Sequence, residues 1–459
     1  MRLFGTNGIR EVVGERLTPA FAADLAGAIG KGLPTGAPIA VGWDGRTSSP
    51  GLARIVSGTL ALSGHDVVEL GLLPTPAFQY NVAAVGAQLG VIVTASHNPP
   101  EFNGFKLIAA DGLEVLRSVE EGIEASVASG LAAPVAFDRV NPIRQDPAGA
   151  NRYLHAISSA VDVDRIRKRK FFVVLDCGNG ASVVTSPELL RRLGCRVVTL
   201  NGQVDGTFPG HPSEPTETNL AGLRAAVPAF GADIGIAHDG DADRCVFVDG
   251  AGQFLPGERV LTLFARQRAR LNRGGVVVTP VSSSQSVEDV VVPLGGEVVY
   301  TRIGSPSVTR EMQKRKAIFG GEENGGLIFP ELQLARDGAM SAAAMLDLLA
   351  REELTLTQAV QDLPTYALRK EKMTLPAEAL EAVLAEVGRA LAATSSKVVT
   401  LDGVKAYREG GWVLVRRSGT EPIIRIFAEA KQPEVADRLI RETLHALEAA
   451  RTQAKVASR

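Results

Sequence analysis

The repeated order of strand, helix and strand is the feature of this 459-residue chain that most constrains its fold. Short apolar runs and amphipathic segments alternate in three rounds, at residues 39–70, 171–200 and 276–301. In the first two rounds the helix begins with Ser-Pro, a position where the missing amide hydrogen of proline is no loss. Because such alternation is typical of layered structure, the sequence predicts three related α/β domains with mixed sheets.

The last part of the chain has a different pattern. Long helices, predicted at residues 377–393 and 433–450, surround short strands and indicate a smaller α+β domain. Segments rich in proline and glycine separate the units. The predicted domains are residues 1–147, 148–252, 253–366 and 367–459.

Composition and charge exclude several classes of function. The net charge of −2 offers no basic footprint for nucleic acid. No apolar run approaches the ~20 residues that cross a bilayer, and the amino terminus has no signal-peptide pattern, so we expect no membrane partner and a cytoplasmic location. The three cysteines, Cys177, Cys195 and Cys245, are odd in number and lie beside predicted strands, which favours reduced thiols over disulfides or a zinc site.

A serine stands where a predicted strand ends. The apolar run at residues 89–93 predicts a buried strand, which Pro99 and Pro100 end because proline lacks an amide hydrogen and restricts the residue before it. Ser96 is therefore expected at a strand-to-turn junction, with its hydroxyl free to face a cleft, and Lys106 follows with a positive charge. Taken alone, the segment is more typical of an ordinary turn.

Three aspartates alternate on a second predicted loop. Asp239, Asp241 and Asp243 would repel one another without a cation, and hard oxygen ligands suit magnesium. An EF-hand is excluded, because its sixth position requires Gly where this chain has Arg244, and its twelfth requires Glu where it has Gly250. A solvated acidic turn is the alternative, although an arginine at the edge of the loop suits a phosphate oxygen.

A third segment, residues 416–422, lies between two predicted strands. It combines the hydroxyls of Ser418 and Thr420 with Gly419 and flanking arginines that include Arg416, a set that suits phosphate. Alone it is equally typical of a charged hairpin turn. Together the three segments predict a phosphorylatable serine, a metal beside it and a separate site for a second phosphate.

These motifs, in this order and across essentially the whole chain, resemble the α-D-phosphohexomutases, a family that includes phosphoglucomutase, phosphomannomutase and phosphoglucosamine mutase. The resemblance implies three α/β domains and an α+β domain around a central cleft. It also implies that Ser96 is a phosphoserine whose phosphate shares one Mg²⁺ with Asp239, Asp241 and Asp243. The expected assembly is a monomer or a homodimer.

The same resemblance assigns roles to further residues. The segment 321–326 is implied to read the sugar, and the centre of the cleft is implied to be lined by basic side chains. The implied catalytic residues are Ser96, His97, Lys106, Arg10 and Arg244. The implied substrate-binding residues are Glu322, Asn324, Gly325, Arg416, Ser418, Gly419, Thr420 and Arg425.

The implied reaction interconverts hexose 1-phosphate and 6-phosphate. Phosphorylated Ser96 donates its phosphoryl group to a sugar hydroxyl, the sugar 1,6-bisphosphate turns over within the cleft, and its other phosphate returns to the serine. Lys106 or His97 moves the hydroxyl proton. Two rivals are a phosphatase, in which water accepts the phosphoryl group, and a non-catalytic protein that binds sugar phosphates.

Glucosamine 6-phosphate is the favoured substrate, with glucosamine 1-phosphate as the product. The opening residues 4–10 and the segment 416–422 look like the glucosamine branch of the family. Many bacterial relatives have Ser-Gly-His where this chain has Asn324, Gly325 and Gly326, and the form found here looks like archaeal members. Dual or broad specificity for mannose and glucose phosphates is the alternative.

Overall fold

Four β-sheets organise the described part of the chain. The computed structural model describes residues 3–5, 7–127, 134–376, 379–408, 410–418 and 423–457. The first three sheets combine parallel and antiparallel strands, and the fourth is antiparallel throughout.

The first sheet has the strand order β1-β5-β4-β2-β3-β6. Its strands are β1 (Ile9–Val12), β2 (Pro38–Trp43), β3 (Asp66–Leu72), β4 (Leu89–Val93), β5 (Phe102–Ala109) and β6 (Arg144–Gln145). Its helices are α1 (Pro19–Lys31), α2 (Ser49–Leu62), α3 (Thr75–Ala84) and α4 (Arg117–Val127). Helix α1 begins where the Thr18 hydroxyl accepts the amide hydrogen of Phe21 and where Pro19 needs no acceptor.

The second sheet has the order β11-β10-β9-β7-β8. Its strands are β7 (Phe172–Asp176), β8 (Arg196–Leu200), β9 (Ile234–His238), β10 (Cys245–Asp249) and β11 (Phe254–Leu255). The accompanying helices are α5 (Gly149–Ala160), α6 (Val163–Arg169), α7 (Ser186–Arg192) and α8 (Ala221–Phe230). Every residue of β7, β9 and β10 is buried, which agrees with their sequences, apolar up to one polar residue at the end of each strand.

The third sheet has the order β13-β12-β14-β15. Its strands are β12 (Gly275–Pro280), β13 (Gly296–Thr301), β14 (Phe319–Gly321) and β15 (Leu327–Ile328). The helices are α9 (Gly257–Asn272), α10 (Ser286–Val291), α11 (Ser305–Arg315), α12 (Gly338–Glu352) and α13 (Leu356–Val360). The Asp337 carboxylate caps α12 by accepting the amide hydrogen of Met340.

The fourth sheet has the order β16-β20-β19-β18-β17 and lies beside two helices. Its strands are β16 (Ala367–Thr374), β17 (Lys397–Val399), β18 (Val404–Arg408), β19 (Gly411–Arg417) and β20 (Ile423–Ala430). The helices are α14 (Leu380–Ala393) and α15 (Pro433–Ala457). Apolar residues of both helices pack against β18, β19 and β20 to form a separate core.

Much of this architecture agrees with the sequence analysis. The predicted fold class is confirmed, with three α/β units and a smaller α+β unit. Strand β4 has the predicted bounds, whereas α15 continues seven residues beyond the predicted end at residue 450, to 457. The three cysteines are buried free thiols, and no helix in the described ranges is long and apolar enough to cross a membrane. The domain boundaries stay predictions.

Candidate active site

Three loops occupy the same position in the first three sheets. Each joins a strand with a parallel neighbour to the antiparallel strand that follows it in the chain. We call them the serine loop (residues 94–101, after β4), the aspartate loop (residues 239–244, after β9) and the glutamate loop (residues 322–326, after β14). The three loops meet at one cleft, since His97, Arg244 and Glu322 each contribute to its lining.

The serine loop places Ser96 behind His97, which lines the cleft, and Ser96 itself is outside the described lining. Ser96 is buried and adopts a left-handed backbone conformation with φ of 52°, which costs a non-glycine residue about 1–3 kcal/mol. Its Oγ donates a hydrogen bond to Oδ2 of Asp239, 3.0 Å away on the aspartate loop. The hydroxyl singled out in the sequence therefore lies against the predicted metal ligands.

Arg46 holds the serine loop from behind, a role that the sequence analysis missed. Its guanidinium is buried and donates hydrogen bonds to the carbonyl oxygens of Ser96, Asn98, Pro99 and Phe102. Neighbouring Asp44 accepts hydrogen bonds from Thr94 and Ser49 and balances the buried positive charge. The only signal in the sequence is the charged Asp-Gly-Arg directly after buried strand β2.

The aspartate loop gathers three buried carboxylates. One oxygen from each of Asp239, Asp241 and Asp243 lies within 4.8 Å of the other two. Oδ1 of Asp241 and Oδ1 of Asp243 are buried and accept no hydrogen bond from the described residues. Burial, and then the charges of the other two carboxylates, raise the pKa of Asp239 well above its usual range. Carboxylate oxygens that are close together, two of which accept no described hydrogen bond, fit a divalent cation.

Cationic side chains surround the carboxylates. Lys106 is buried, and its Nζ donates to Oδ2 of Asp241 at 2.8 Å and to Oδ2 of Asp243 at 3.3 Å. Burial lowers the pKa of Lys106, but the two carboxylates outweigh that effect and the net pKa is raised. Arg10 donates from Nη1 to Oδ1 of Asn98 on the serine loop, 2.8 Å away. Lys106 thus remains charged beside the predicted metal ligands, and Arg10 contacts the loop that carries the predicted nucleophile.

His97 lies between Ser96 and Arg244. Its Nδ1 is 3.4 Å from Oγ of Ser96 and 3.1 Å from Nη2 of Arg244, which donates to it. Burial, followed by the charges of Arg244 and Arg10, lowers the pKa of His97 to about 2. The ring is therefore neutral, and Nδ1 is the hydrogen-bond acceptor.

The glutamate loop contributes unequally to the cleft. Glu322 and Asn324 line it, and Oε1 of Glu322 accepts the amide hydrogen of Gly304 at 3.2 Å. Glu323 turns away and accepts the amide hydrogen of Ser284. Gly325 instead packs on β10, where its carbonyl oxygen accepts the amide hydrogen of Cys245. The cleft contact predicted for Gly325 is absent from the described lining.

Arg336 is a second residue that the sequence analysis missed. It immediately precedes the cap of α12, and its guanidinium donates to Glu322 and to Asp243. Nothing in the local sequence distinguishes it from a solvated arginine near a helix start. Its position follows only from the packing of the third unit against the second.

The cleft encloses about 340 Å³ and draws its lining from three of the four units. The described residues that contact it include Asn7, Gly8, Arg10, His97, Arg244, Ile303, Gly304, Glu322, Asn324 and Arg336. Lys106 and the three aspartates lie buried behind this lining. A charged, concave site of this kind suits a small anionic ligand.

The phosphate-binding segment predicted in the fourth unit lies outside this lining. Arg416 is at the end of β19, cross-strand from Arg425, and Ser418 is buried. Nε of Arg416 is 3.3 Å from Oδ2 of Asp402, and the same oxygen accepts the amide hydrogen of Ile303 at the cleft. A single carboxylate thus separates Arg416 from the cleft wall. The predicted ligands Gly419 and Thr420 are outside the described residues.

Family models match the chain over nearly its whole length. The α/β/α domains I, II and III of phosphoglucomutase/phosphomannomutase match residues 1–133, 151–252 and 256–366, and the C-terminal domain of that family matches residues 366–446. The chain belongs to the phosphoglucomutase/phosphomannomutase family of phosphohexomutases.

Individual relatives agree with this assignment. The phosphoglucomutase/phosphomannomutase of Thermococcus kodakarensis is 39% identical over 98% of this chain and 99% of its own. The phosphoglucosamine/phosphogalactosamine mutase of Sulfurisphaera tokodaii is 38% identical over 96% and 98%. A crystal structure of a family protein from Burkholderia thailandensis has a TM-score of 0.85 at 28% identity and covers 98% of this chain and 97% of its own.

Proposed function

We propose that this phosphohexomutase carries its phosphoryl group on Ser96 and favours glucosamine phosphates. The observation that carries the proposal is the 3.0 Å hydrogen bond from Oγ of Ser96 to Asp239, inside a cluster of three buried aspartates. A binding protein has no need for a strained, buried serine at such a cluster. The serine is therefore the proposed phosphoryl carrier. The proposed location of the protein is the cytoplasm.

Phosphoryl transfer requires positioning and neutralisation of charge more than covalent chemistry from the protein. Asp239, Asp241 and Asp243 would hold Mg²⁺, which when bound polarises the phosphate on Ser96. Arg10 and Lys106 supply fixed positive charge around the transferring group. Arg46 keeps the loop carbonyls in place, so that the Ser96 oxygen stays aligned through both transfers.

The proton of the attacking sugar hydroxyl needs an acceptor at the cleft. His97 lines the cleft with a neutral ring, whereas Lys106 lies behind the lining between two carboxylates. The neutral His97 is the proposed acceptor, and the same ring returns the proton in the second transfer by microscopic reversibility. Lys106 is charged and could accept the proton only after releasing one of its own.

The sugar 1,6-bisphosphate formed by the first transfer turns over before the second. The proposed site for its non-transferred phosphate consists of Arg416, Ser418, Gly419, Thr420 and Arg425, which offer charge and hydrogen-bond donors independent of sugar orientation. This site explains why a mutase gains from the fourth unit, whereas a simple phosphatase does not.

Glucosamine phosphates suit the lining of the cleft. The Glu322 carboxylate accepts hydrogen bonds from ring hydroxyls, and it also attracts the ammonium group of an amino sugar. The relative from Sulfurisphaera tokodaii is named for amino-sugar phosphates, whereas that from Thermococcus kodakarensis is named for glucose and mannose phosphates. Broad specificity is the second candidate.

The test is a mutase assay of the full chain with Mg²⁺ and a catalytic amount of the matching sugar 1,6-bisphosphate. The 1-phosphates of glucosamine, glucose and mannose are compared, and the highest kcat/KM is expected for glucosamine. Ser96→Ala removes the phosphoryl carrier and is expected to lower kcat by about 10³-fold or more. Ser57→Ala is the matched control, because Ser57 is also buried but its hydroxyl has no partner in the described ranges.

Other outcomes would contradict the proposal. Release of free phosphate in place of a hexose 6-phosphate identifies a phosphatase. Binding of sugar phosphate without turnover identifies a non-catalytic binder. Equal kcat/KM values for the three sugars reject the preference for glucosamine and leave a mutase of broad specificity.

A further inference from the structure

Arg336 joins two of the three loops that form the cleft. Its Nη1 donates to Oε2 of Glu322 at 3.1 Å, and its Nη2 donates to Oδ2 of Asp243. The side chain is 5% exposed, yet it contributes to the lining of the cleft. One buried guanidinium thus contacts a predicted sugar ligand and a predicted metal ligand together.

Gly326 makes room for this arginine. A Cβ atom at residue 326 would lie 2.4 Å from Cδ of Arg336 and 3.2 Å from its Cγ. The aliphatic part of Arg336 therefore fills the space in which any other side chain at position 326 would begin. Arg336 can therefore occupy this position only because residue 326 is glycine.

Glu322 has few other constraints. Among the described hydrogen bonds, its carboxylate accepts one from Arg336 and one from the amide of Gly304. A carboxylate held by a single amide can rotate about its terminal torsion, whereas a charged second donor on its other oxygen fixes the plane. Arg336 therefore decides which way the oxygens of Glu322 face in the cleft.

We propose that Arg336 is a positioning residue that orients Glu322 toward the sugar and links that orientation to the aspartate loop, with Gly326 as its structural requirement. This inference rests on the proposed function, since it assigns Glu322 to the sugar. Charge on Asp243 holds one end of the guanidinium while the other end holds Glu322. The guanidinium thereby fixes the position of Glu322 relative to Asp243 in the aspartate loop.

The test measures binding of glucosamine 6-phosphate and of Mg²⁺ to the full chain by calorimetry, together with mutase kinetics. Arg336→Met is expected to weaken sugar-phosphate binding and to lower kcat/KM by about 10- to 100-fold, the range for losing a hydrogen bond to a charged group. Mg²⁺ binding is expected to tighten, because Asp243 loses a competing cation. Arg336→Lys is expected to recover only part of the loss, since one ammonium lacks the fork that reaches two carboxylates.

Two further variants separate positioning from general stability. Gly326→Ala is expected to reproduce the loss of Arg336→Met, and the two changes together are expected to cost no more than either one. Arg351→Met, at an exposed arginine near the carboxyl end of α12, is the control and is expected to match the wild type. Melting temperatures identify any variant whose loss reflects unfolding.

The outcomes separate this inference from the proposed function. A wild type that binds glucosamine 6-phosphate without turnover, with binding weakened in Arg336→Met, rejects the mutase but retains the positioning role. An active wild type whose Arg336→Met variant binds and turns over normally rejects the positioning role alone. Additive losses in the double variant overturn the coupling through Gly326, and an unchanged or weaker Mg²⁺ site in Arg336→Met overturns the coupling through Asp243. A wild type that binds no sugar phosphate rejects both.

Discussion

Gly240 sets the distance between the serine loop and the aspartate loop. A Cβ atom at this position would lie 2.6 Å from the carbonyl oxygen of Ser96. The same carbonyl accepts a hydrogen bond from Arg46, so it cannot retreat without breaking a buried charged contact. At the scale of single residues, the site therefore depends on the close approach of the two loop backbones as well as on its charged side chains.

Gly240→Ala is therefore expected to push the two loops apart and lengthen the contact between Ser96 and Asp239. We expect a loss of kcat of about 100-fold, because a displacement of about 1 Å at a reacting group costs that much. The measurement is mutase kinetics, with circular dichroism to check folding.

Gly222→Ala is the matched control for this prediction. Gly222 lies in helix α8 with nothing within 4 Å of the added Cβ, and the change is expected to stabilise the chain by about 0.5–1 kcal/mol with unchanged kcat. Wild-type kcat in Gly240→Ala would show that the serine loop tolerates the displacement.

At the scale of elements, the second sheet supplies a further support for the serine loop. The segment after β8 carries Ser213, whose hydroxyl donates to the carbonyl oxygen of Asn98. Two residues earlier, His211 anchors this segment, with Nε2 3.3 Å from Asp176 at the end of β7 and Nδ1 2.7 Å from the Pro212 carbonyl oxygen. The His211–Asp176 pair thus fixes the segment whose Ser213 contacts the serine loop.

The His211–Asp176 pair predicts a pH-dependent contribution to stability. Burial lowers the pKa of His211, but Asp176 and the Pro212 carbonyl outweigh it, and the net pKa is raised above the ordinary value of 6.5. The folded state therefore binds the proton more tightly than the unfolded state. The stabilisation is fully present below pH 6.5 and is lost as the pH rises through the raised value.

Thermal melts from pH 5.5 to 8.5 measure this effect. The difference in Tm between wild type and His211→Gln is expected to be largest at the acidic end and to shrink with rising pH. His155→Gln, at an exposed position on α5, is expected to track the wild type throughout. A difference that grows with pH would mean that His211 is neutral in the folded chain at every pH tested.

At the scale of the whole molecule, the hydrophobic cores are not divided into four equal parts. The largest core includes buried residues of the first, second and third units, from Ala40 to Leu363. The fourth unit has its own core between its sheet and its two helices. Lys405 lies at the junction, where its buried Nζ donates to the carbonyl oxygen of Val281 and lies 3.9 Å from the centroid of the Trp412 ring.

Calorimetry of the full chain is therefore expected to show two unfolding transitions, one for the shared core and one for the fourth unit. Leu447→Ala, in the core of the fourth unit, is expected to lower the Tm of the transition of that unit. Leu261→Ala, in the shared core, is expected to lower the Tm of the other transition. Each buried leucine is worth about 2–5 kcal/mol. A single transition lowered equally by both variants would show that the chain unfolds as one unit.

Local sequence was sufficient for many of the elements and for the chemistry of the serine and aspartate loops. Strand runs, Ser-Pro helix starts and the turn after β4 depend on residues within a few positions of one another, and period and turn chemistry predicted them. The residue types around Ser96 and Asp241 suggested a phosphorylated serine and a metal for the same reason. The roles assigned to these residues stay predictions, whereas the fold class and the family are confirmed.

Only the tertiary structure decided which side chains meet. Arg46 holds a carbonyl 50 residues away, and Arg336 reaches a carboxylate 93 residues away, so neither partner lies within a local window. Glu322 and Glu323 are adjacent and chemically alike, yet one faces the cleft and the other accepts the Ser284 amide. Sequence by itself determined which elements form and which loops carry chemical groups. Packing of the three related sheets determined which of those groups share the cleft, because contacts between distant segments arise only when the units pack together.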